Sequence, residues 1–273
     1  MIVIITNKKR LKAYAIFTLM VLVLAGGFAR GFNKRSIAVT GNGEIKGYLS
    51  IVIDDFGNNS KGTKEMLELP IKFTGAVMPS MPYTKDECKM LNDAGKDIIL
   101  HMPMEAHTGK KSWLGETPIM DNYSNEQVEE IFIKCINETD GLVGVNNHMG
   151  SKVTENERIF NILMKIMKEK NLIFVDSLTS PKSVVENAAK TNNVYYLKRD
   201  VFLDSTQDLY KIKKNMLKAA KIASENGYAI AIGHVGAEGG IVTAQAIRET
   251  MDEIRKMNIE FVGVSDLIKI CKP

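Results

Sequence analysis

Cysteine is scarce in this chain: 3 in 273 residues, at Cys88, Cys135 and Cys271, with no CxxC or CxxH spacing. That pattern excludes a thiolate zinc cluster, and an odd count gives no disulfide framework, although one bridge between some pair stays open. Cys88 and Cys135 fall in helix-like stretches, where a small buried apolar residue is the expectation. Strong charge is also missing. The net charge is +4, several of the positives lie at the N-terminus, and no basic run or aromatic-basic stripe is present. Nucleic acid is therefore not an expected partner. The remaining composition, 45% hydrophobic and 25% charged, is that of an ordinary globular protein.

One long apolar run exists, and it sits at the start. Lys8, Lys9, Arg10 and Lys12 precede an uncharged stretch from Ala13 to Ala29. A basic cluster followed by such a run is the pattern of a secretion signal or an uncleaved anchor, and its length is near the lower limit for spanning a bilayer. Residues 1–29 are expected to be a signal peptide or N-terminal membrane anchor, with residues 30–47 as a polar, glycine-containing linker. The catalytic part, 48–273, is then exported and acts outside the cytoplasm, secreted or membrane-anchored.

From Tyr48 onward, short apolar runs alternate with longer amphipathic ones. Strands are expected at 48–53, 72–77, 97–101, 142–146, 172–176, 194–197, 228–233 and 260–264. Helices are expected at 61–68, 84–94, 124–138, 154–170, 181–191, 207–226, 242–257 and 265–271. Ser124 with Gln127, and Thr154 with Glu157, have capping-box spacing. Asn226-Gly227 marks a helix end. Strands that are apolar throughout, alternating with helices, imply a parallel sheet covered on both faces. About eight such units suit a (β/α) barrel better than an open doubly wound sheet, because polar residues end almost every strand.

Histidine is as scarce as cysteine, with 4 in the chain, but three of them close strand-like runs: His101, His148 and His234. Asp54-Asp55 ends a fourth run. Adjacent carboxylates repel unless a cation or a proton offsets the charge. A divalent metal on one of them leaves the other as a candidate base. Two imidazoles and one carboxylate make an open site for catalytic Zn²⁺, and Asp55, His101 and His148 are the expected ligands. Glu105 follows His101 on a loop stiffened by Pro103 and is expected to reach the same cavity as a ligand or a hydrogen-bond acceptor, binding or orienting substrate. His107 reads as an exposed loop residue. Asn147 belongs to a polar loop that apolar packing does not explain. Asp176, Arg199 and Asp204 are expected to orient substrate or a catalytic carboxylate, with a structural ion pair as the plain alternative for Arg199. His234, followed by a glycine-rich loop, suits an acid that protonates a leaving group.

Taken together, IVIDDFG at 51–57, HMPME at 101–105, NNHMGS at 146–151, DS at 176–177, RDVFLD at 199–204 and GH at 233–234 resemble one family. It is the divergent polysaccharide deacetylases, a branch of the NodB-like carbohydrate esterases. The resemblance implies a distorted, incomplete (β/α) barrel. It also implies that Asp54 is the base, that Asp55 binds the metal, and that His234 is the acid. The usual second histidine of the H-(S/T)-x-x-H loop is replaced here by Glu105, so His148 stands in as the missing ligand. The R-x-P-Y loop is absent. Zinc is the first expectation for the ion, with cobalt, nickel or manganese as alternatives. The implied reaction is metal-dependent removal of N-acetyl groups from an envelope glycan. The alternative is a catalytically impaired envelope protein that binds a glycan or a partner on the same fold.

Overall fold

The apolar runs form strands that are buried on both faces, one against helices and the other inside the curl of the sheet. The computed structural model describes residues 44–271. The export segment expected at 1–29, and most of the linker expected at 30–47, lie outside the described residues. Among the described residues, no helix is long and apolar enough to cross a membrane. The strands are β1 (Gly47–Phe56), β2 (Thr74–Val77), β3 (Asp97–Met104), β4 (Leu142–Met149), β5 (Ile173–Asp176), β6 (Tyr196–Lys198), β7 (Val201–Phe202), β8 (Tyr228–His234) and β9 (Ile259–Val262). The helices are α1 (Thr63–Leu67), α2 (Thr84–Asp93), α3 (Asn125–Glu138), α4 (Glu157–Glu169), α5 (Val185–Asn192), α6 (Leu209–Asn226), α7 (Gly240–Lys256) and α8 (Val264–Cys271).

All ladders are parallel, in the order β6-β5-β4-β3-β2-β1-β8-β7, with β9 beside the first residues of β1. The sheet curls into a half-barrel. Its two ends, β6 and β7, are separated by only Arg199 and Asp200. β6 pairs with β5 and β7 pairs with β8, so one bent segment spans the last gap without a ladder. No helix separates these two strands, which departs from a strict strand–helix repeat.

Two other expectations change. The polar residues were expected at strand ends, yet β1, β3 and β4 run past Asp54, His101 and Asn146. Pro103 therefore lies within β3 rather than in a loop beyond it. A proline cannot donate to a ladder, but the pairing of β3 with β2 stops at Leu100, and beyond it Ile119 bridges that edge by donating its N–H to Pro103 O at 2.8 Å, a bond that asks no donor of the proline. The fourth helix starts later than 154. Asn156 is its N-cap, accepting from the Ile159 N–H at 3.2 Å, and Thr154 lies in a preceding 3₁₀ turn. The Ser124–Gln127 capping box is present in both directions, and Gly227 ends α6 with φ 89°.

Side chains on the helix-covered face of the sheet form two apolar clusters. One joins Leu49, Ile51 and Ile53 of β1 to Ile212, Met216 and Ala220 of α6 and to Ile247 of α7. The other joins Leu100 of β3 and Phe174 of β5 to Phe132 of α3 and to Phe160, Leu163 and Met164 of α4. Each of these large side chains contributes about 1.5–3 kcal/mol on burial. This packing holds the C-terminal ends of the strands, and hence the site, in fixed register.

Candidate metal and acid–base centre

Neighbouring residues of a strand point to opposite faces, so an Asp-Asp pair should not present both carboxylates to one cavity. The chain breaks that alternation. Asp55 has φ 70°, and the register between β1 and β2 shifts between Ile53 and Phe56. A non-glycine residue in this region costs about 1–2 kcal/mol, and such strain persists only where neighbours enforce it. The Val235 N–H donates to Asp54 O at 3.0 Å and the Met78 N–H donates to Phe56 O at 2.8 Å. The buried Glu87 carboxylate of α2 accepts from the Gly57 N–H, and from the Asn59 N–H at 2.9 Å. Glu87 carries no motif, and nothing in the sequence flagged it.

Three ligand atoms converge. Asp55 Oδ1 lies 3.3 Å from His101 Nε2 and 3.2 Å from His148 Nδ1, and those two nitrogens are 3.0 Å apart. An ion with tetrahedral bonds of about 2.0–2.1 Å separates its ligand atoms by about 3.3 Å. Hydrogen bonds set which ring atoms face the centre. Asn146 Nδ2 donates to Asp54 Oδ1 at 2.8 Å, so its Oδ1 accepts from His101 Nδ1 at 2.7 Å. That leaves a lone pair on His101 Nε2. His148 Nε2 donates to the Trp113 carbonyl at 3.0 Å, leaving a lone pair on Nδ1. Asp55 Oδ1 is buried with no hydrogen-bond partner. Three acceptors facing one another at about 3 Å call for a cation or a proton between them. The residues thus fit a divalent metal, and this Asp-His-His set meets the distance requirement for one.

The charge states agree with that reading. Burial raises the pKa of Asp54, and the nearby His101 and His234 only partly offset it. Burial acts on Asp55 in the same sense, but the two imidazoles beside it outweigh burial and hold its carboxyl well below the usual range. His101 is disfavoured as a cation by burial, yet Asp54 and Asp55 raise its pKa.

On the other side of Asp54 stands His234, its partner in the β1–β8 ladder. Asp204 Oδ1 accepts from His234 Nδ1 at 2.8 Å, while Asp204 Oδ2 accepts from the His234 N–H at 2.8 Å and from Thr243 Oγ1 at 2.7 Å. Burial disfavours the imidazolium, but Asp204 and Asp54 prevail and push the His234 pKa up to about 10. Its Nε2 lies 4.0 Å from Asp54 Oδ2 and 3.5 Å from Glu238 Oε2. The close packing needs Gly239, where a Cβ would lie 1.9 Å from Asp204 Oδ2.

The other expected residues occupy supporting positions. Glu105 contributes no atom to the triangle. It accepts from the Asp121 N–H at 2.8 Å and from Lys152 Nζ at 3.0 Å, so of the two roles open to it, ligand or hydrogen-bond acceptor, it takes the second. Asn147 lies one residue from Asn146, on the opposite face of β4. It donates to Met149 O and to Thr179 Oγ1, and it accepts from the Ser177 N–H. Asp176 accepts from the Leu178 N–H, Ser183 Oγ and Tyr196 Oη. Arg199 Nε donates to Ser177 O at 2.8 Å, and its guanidinium lies over the Phe202 ring. These three hold the loop after β5. The residue that bridges Asp54 and His101 is Asn146, which sequence reasoning passed over. Strand alternation was the available signal, since Asn146 shares a face with His148. His107 is exposed and pairs with Glu155 at 3.3 Å. A groove of about 440 Å³, lined by Ile45, Lys72, Arg255 and Phe261 among others, lies at the opposite ends of the strands.

A curled parallel sheet thus brings an Asp-His-His set, a second carboxylate and a third imidazole to one mouth. The family model for divergent polysaccharide deacetylases matches residues 51–268, and the chain belongs to that family. It is 33% identical over 190 residues to the uncharacterized protein YibQ of Escherichia coli strain K12, covering 70% of this chain and 59% of that protein. The chain thus spans about three-fifths of the length of that relative. It is 32% identical over 219 residues to an uncharacterized protein of Haemophilus influenzae, covering 80% of this chain and 76% of the other. The solved structure of an uncharacterized protein from Agrobacterium tumefaciens C58 superimposes with a TM-score of 0.75 at 20% identity, covering 84% of this chain and 92% of that one. At that identity the likeness is one of fold.

Proposed function

We propose that this chain is a metal-dependent hydrolase that removes N-acetyl groups from a polysaccharide of the cell envelope. The observation that carries the reading is the triangle of Asp55 Oδ1, His101 Nε2 and His148 Nδ1, flanked by a buried carboxylate and a buried imidazole. Family membership supports the substrate class. The apolar run of residues 13–29 supports action outside the cytoplasm, with the protein secreted or held at the membrane.

A divalent cation held by Asp55, His101 and His148, zinc in the first instance, would polarise the acetyl carbonyl and acidify water at the centre. The protein's own groups move the protons. Asp54 is kept basic by burial, and it takes a proton from water as the water oxygen bonds to the acetyl carbon. Asn146 occupies Asp54 Oδ1, which leaves Oδ2 for that proton. When the C–N bond breaks, His234 Nε2 gives its proton to the leaving nitrogen, and Asp204 keeps the ring oriented. The products are a free amino sugar and acetate.

The missing second histidine of the HMPME loop and the absent R-x-P-Y loop motivate the second reading, a catalytically impaired glycan-binding protein. The position of His148 beside Asp55 and His101 weighs against the first motive and leaves the second standing. Chelator-stripped protein reloaded with Zn²⁺ or Co²⁺ is expected to release acetate from chitooligosaccharides or peptidoglycan fragments, and stripped protein is not. No release from a broad panel of N-acetylated glycans overturns the proposal. Glycan binding that survives Asp54→Asn, with no turnover in the parent, favours the binding protein instead.

A further inference from the structure

The chain has one tryptophan, Trp113, and its side chain is 57% exposed. It lies on a short 3₁₀ turn, Lys111–Leu114, in the connection between β3 and α3. The turn is held at several points. The side chain of Leu114 is buried, and the Trp113 N–H donates to Lys110 O at 3.0 Å. The Trp113 carbonyl accepts from His148 Nε2 at 3.0 Å. Lys110 Nζ sits 5.8 Å from the centre of the indole, within cation–π range. A large apolar ring is thus kept in solvent and tethered directly to a residue of the metal triangle.

We infer that the Trp113 indole is the platform on which a pyranose ring of an N-acetylated glycan stacks, making Trp113 a specificity-determining residue. This rests on the function proposed above. A pyranose presents an apolar C–H face to an aromatic ring while its hydroxyls stay at the rim. An indole is rigid and amphipathic, so it gives contact area at low entropic cost. A single ring beside a polar mouth is much smaller than the several hundred Å² expected of a protein-docking patch, which favours a sugar over a protein partner. Because the indole and His148 are joined through one carbonyl, a sugar stacked there lies beside the proposed centre.

The single tryptophan makes the test direct. Zinc-loaded protein titrated with chitotetraose is expected to show a saturable change in tryptophan fluorescence, and maltotetraose is expected to give none. In acetate release, Trp113→Ala is expected to raise KM at least about 10-fold with a much smaller change in kcat, and Trp113→Phe to recover most of the loss. Acetate release with no fluorescence change overturns the stacking role and leaves the deacetylase reading standing. A saturable change without acetate release supports the platform and overturns the hydrolytic reading. A variant whose kcat falls while KM holds shows that Trp113 acts only through His148, which also overturns the inference.

Discussion

His101 Nε2 and His148 Nδ1 face each other at 3.0 Å, with their rings at 74°. Each ring gives its other nitrogen to a fixed acceptor, Asn146 Oδ1 or Trp113 O. The facing atoms are therefore both lone pairs, and Asp55 Oδ1 completes the triangle. The arrangement is stable only when positive charge sits among the three.

Metal binding is the direct consequence. Wild-type protein is expected to bind one Zn²⁺, and at 100 times Kd the ion stabilises the fold by about 2.7 kcal/mol. Asp55→Asn is expected to weaken affinity at least about 100-fold, exceeding the loss usual for a residue that merely supports a ligand. Asparagine tolerates a positive φ, so the fold itself should survive. Calorimetric titration checks this, and equal affinity in the variant would rule Asp55 out as a ligand.

Asn146 bridges Asp54, the proposed base, and His101, a proposed ligand. Asn146→Ala strands the buried Asp54 Oδ1 and His101 Nδ1, at an expected cost of about 1–3 kcal/mol. A loss of about 10- to 100-fold in kcat accompanies it if His101 loses its orientation. Urea unfolding and acetate release report the two effects separately. An active variant with unchanged stability would mean that the bridge has no role.

The pH dependence follows from His234. Its folded pKa, about 10, lies above its ordinary 6.5. The folded state therefore holds the proton more tightly. The resulting stability is complete below pH 6.5 and is lost as pH rises toward 10. Urea midpoints of metal-stripped wild type should decline across that window. Asp204→Asn removes much of the cause, so its midpoint should be lower at neutral pH and flatter across the same range. A parallel decline in both proteins would sever the link between Asp204 and the His234 proton.

Glu87 is expected to hold the strained turn after Asp55. Glu87→Gln keeps the shape but weakens two charge-assisted bonds from Gly57 and Asn59, at a cost of about 1–3 kcal/mol. Zinc affinity should fall about 10-fold as Asp55 relaxes. Thermal melting and metal titration test this together, and destabilisation with wild-type affinity would show that the Asp55 conformation is held by other contacts.

Much of the architecture was legible because periodicity is a local property. Apolar runs such as 97–101 and 228–233 matched strands, and Ser124 and Gly227 marked helix ends. The errors arose where distant contacts decide. β3 and β4 extend because each continues to pair with the other past His101 and Asn146. Thr154 lost the cap to Asn156 because its segment forms a separate turn.

Residue chemistry along the chain determined that carboxylates and imidazoles would gather at one end of a parallel sheet, because strand order and direction carry their termini to the same side. It could not determine that Asp55 would turn against the strand alternation, that Asn146 rather than Asn147 would face Asp54, or that Glu87 would brace the turn. Those choices depend on register between segments far apart in the chain, such as Asp54 and Asn146, 92 residues apart, and only packing of the folded chain sets such distances.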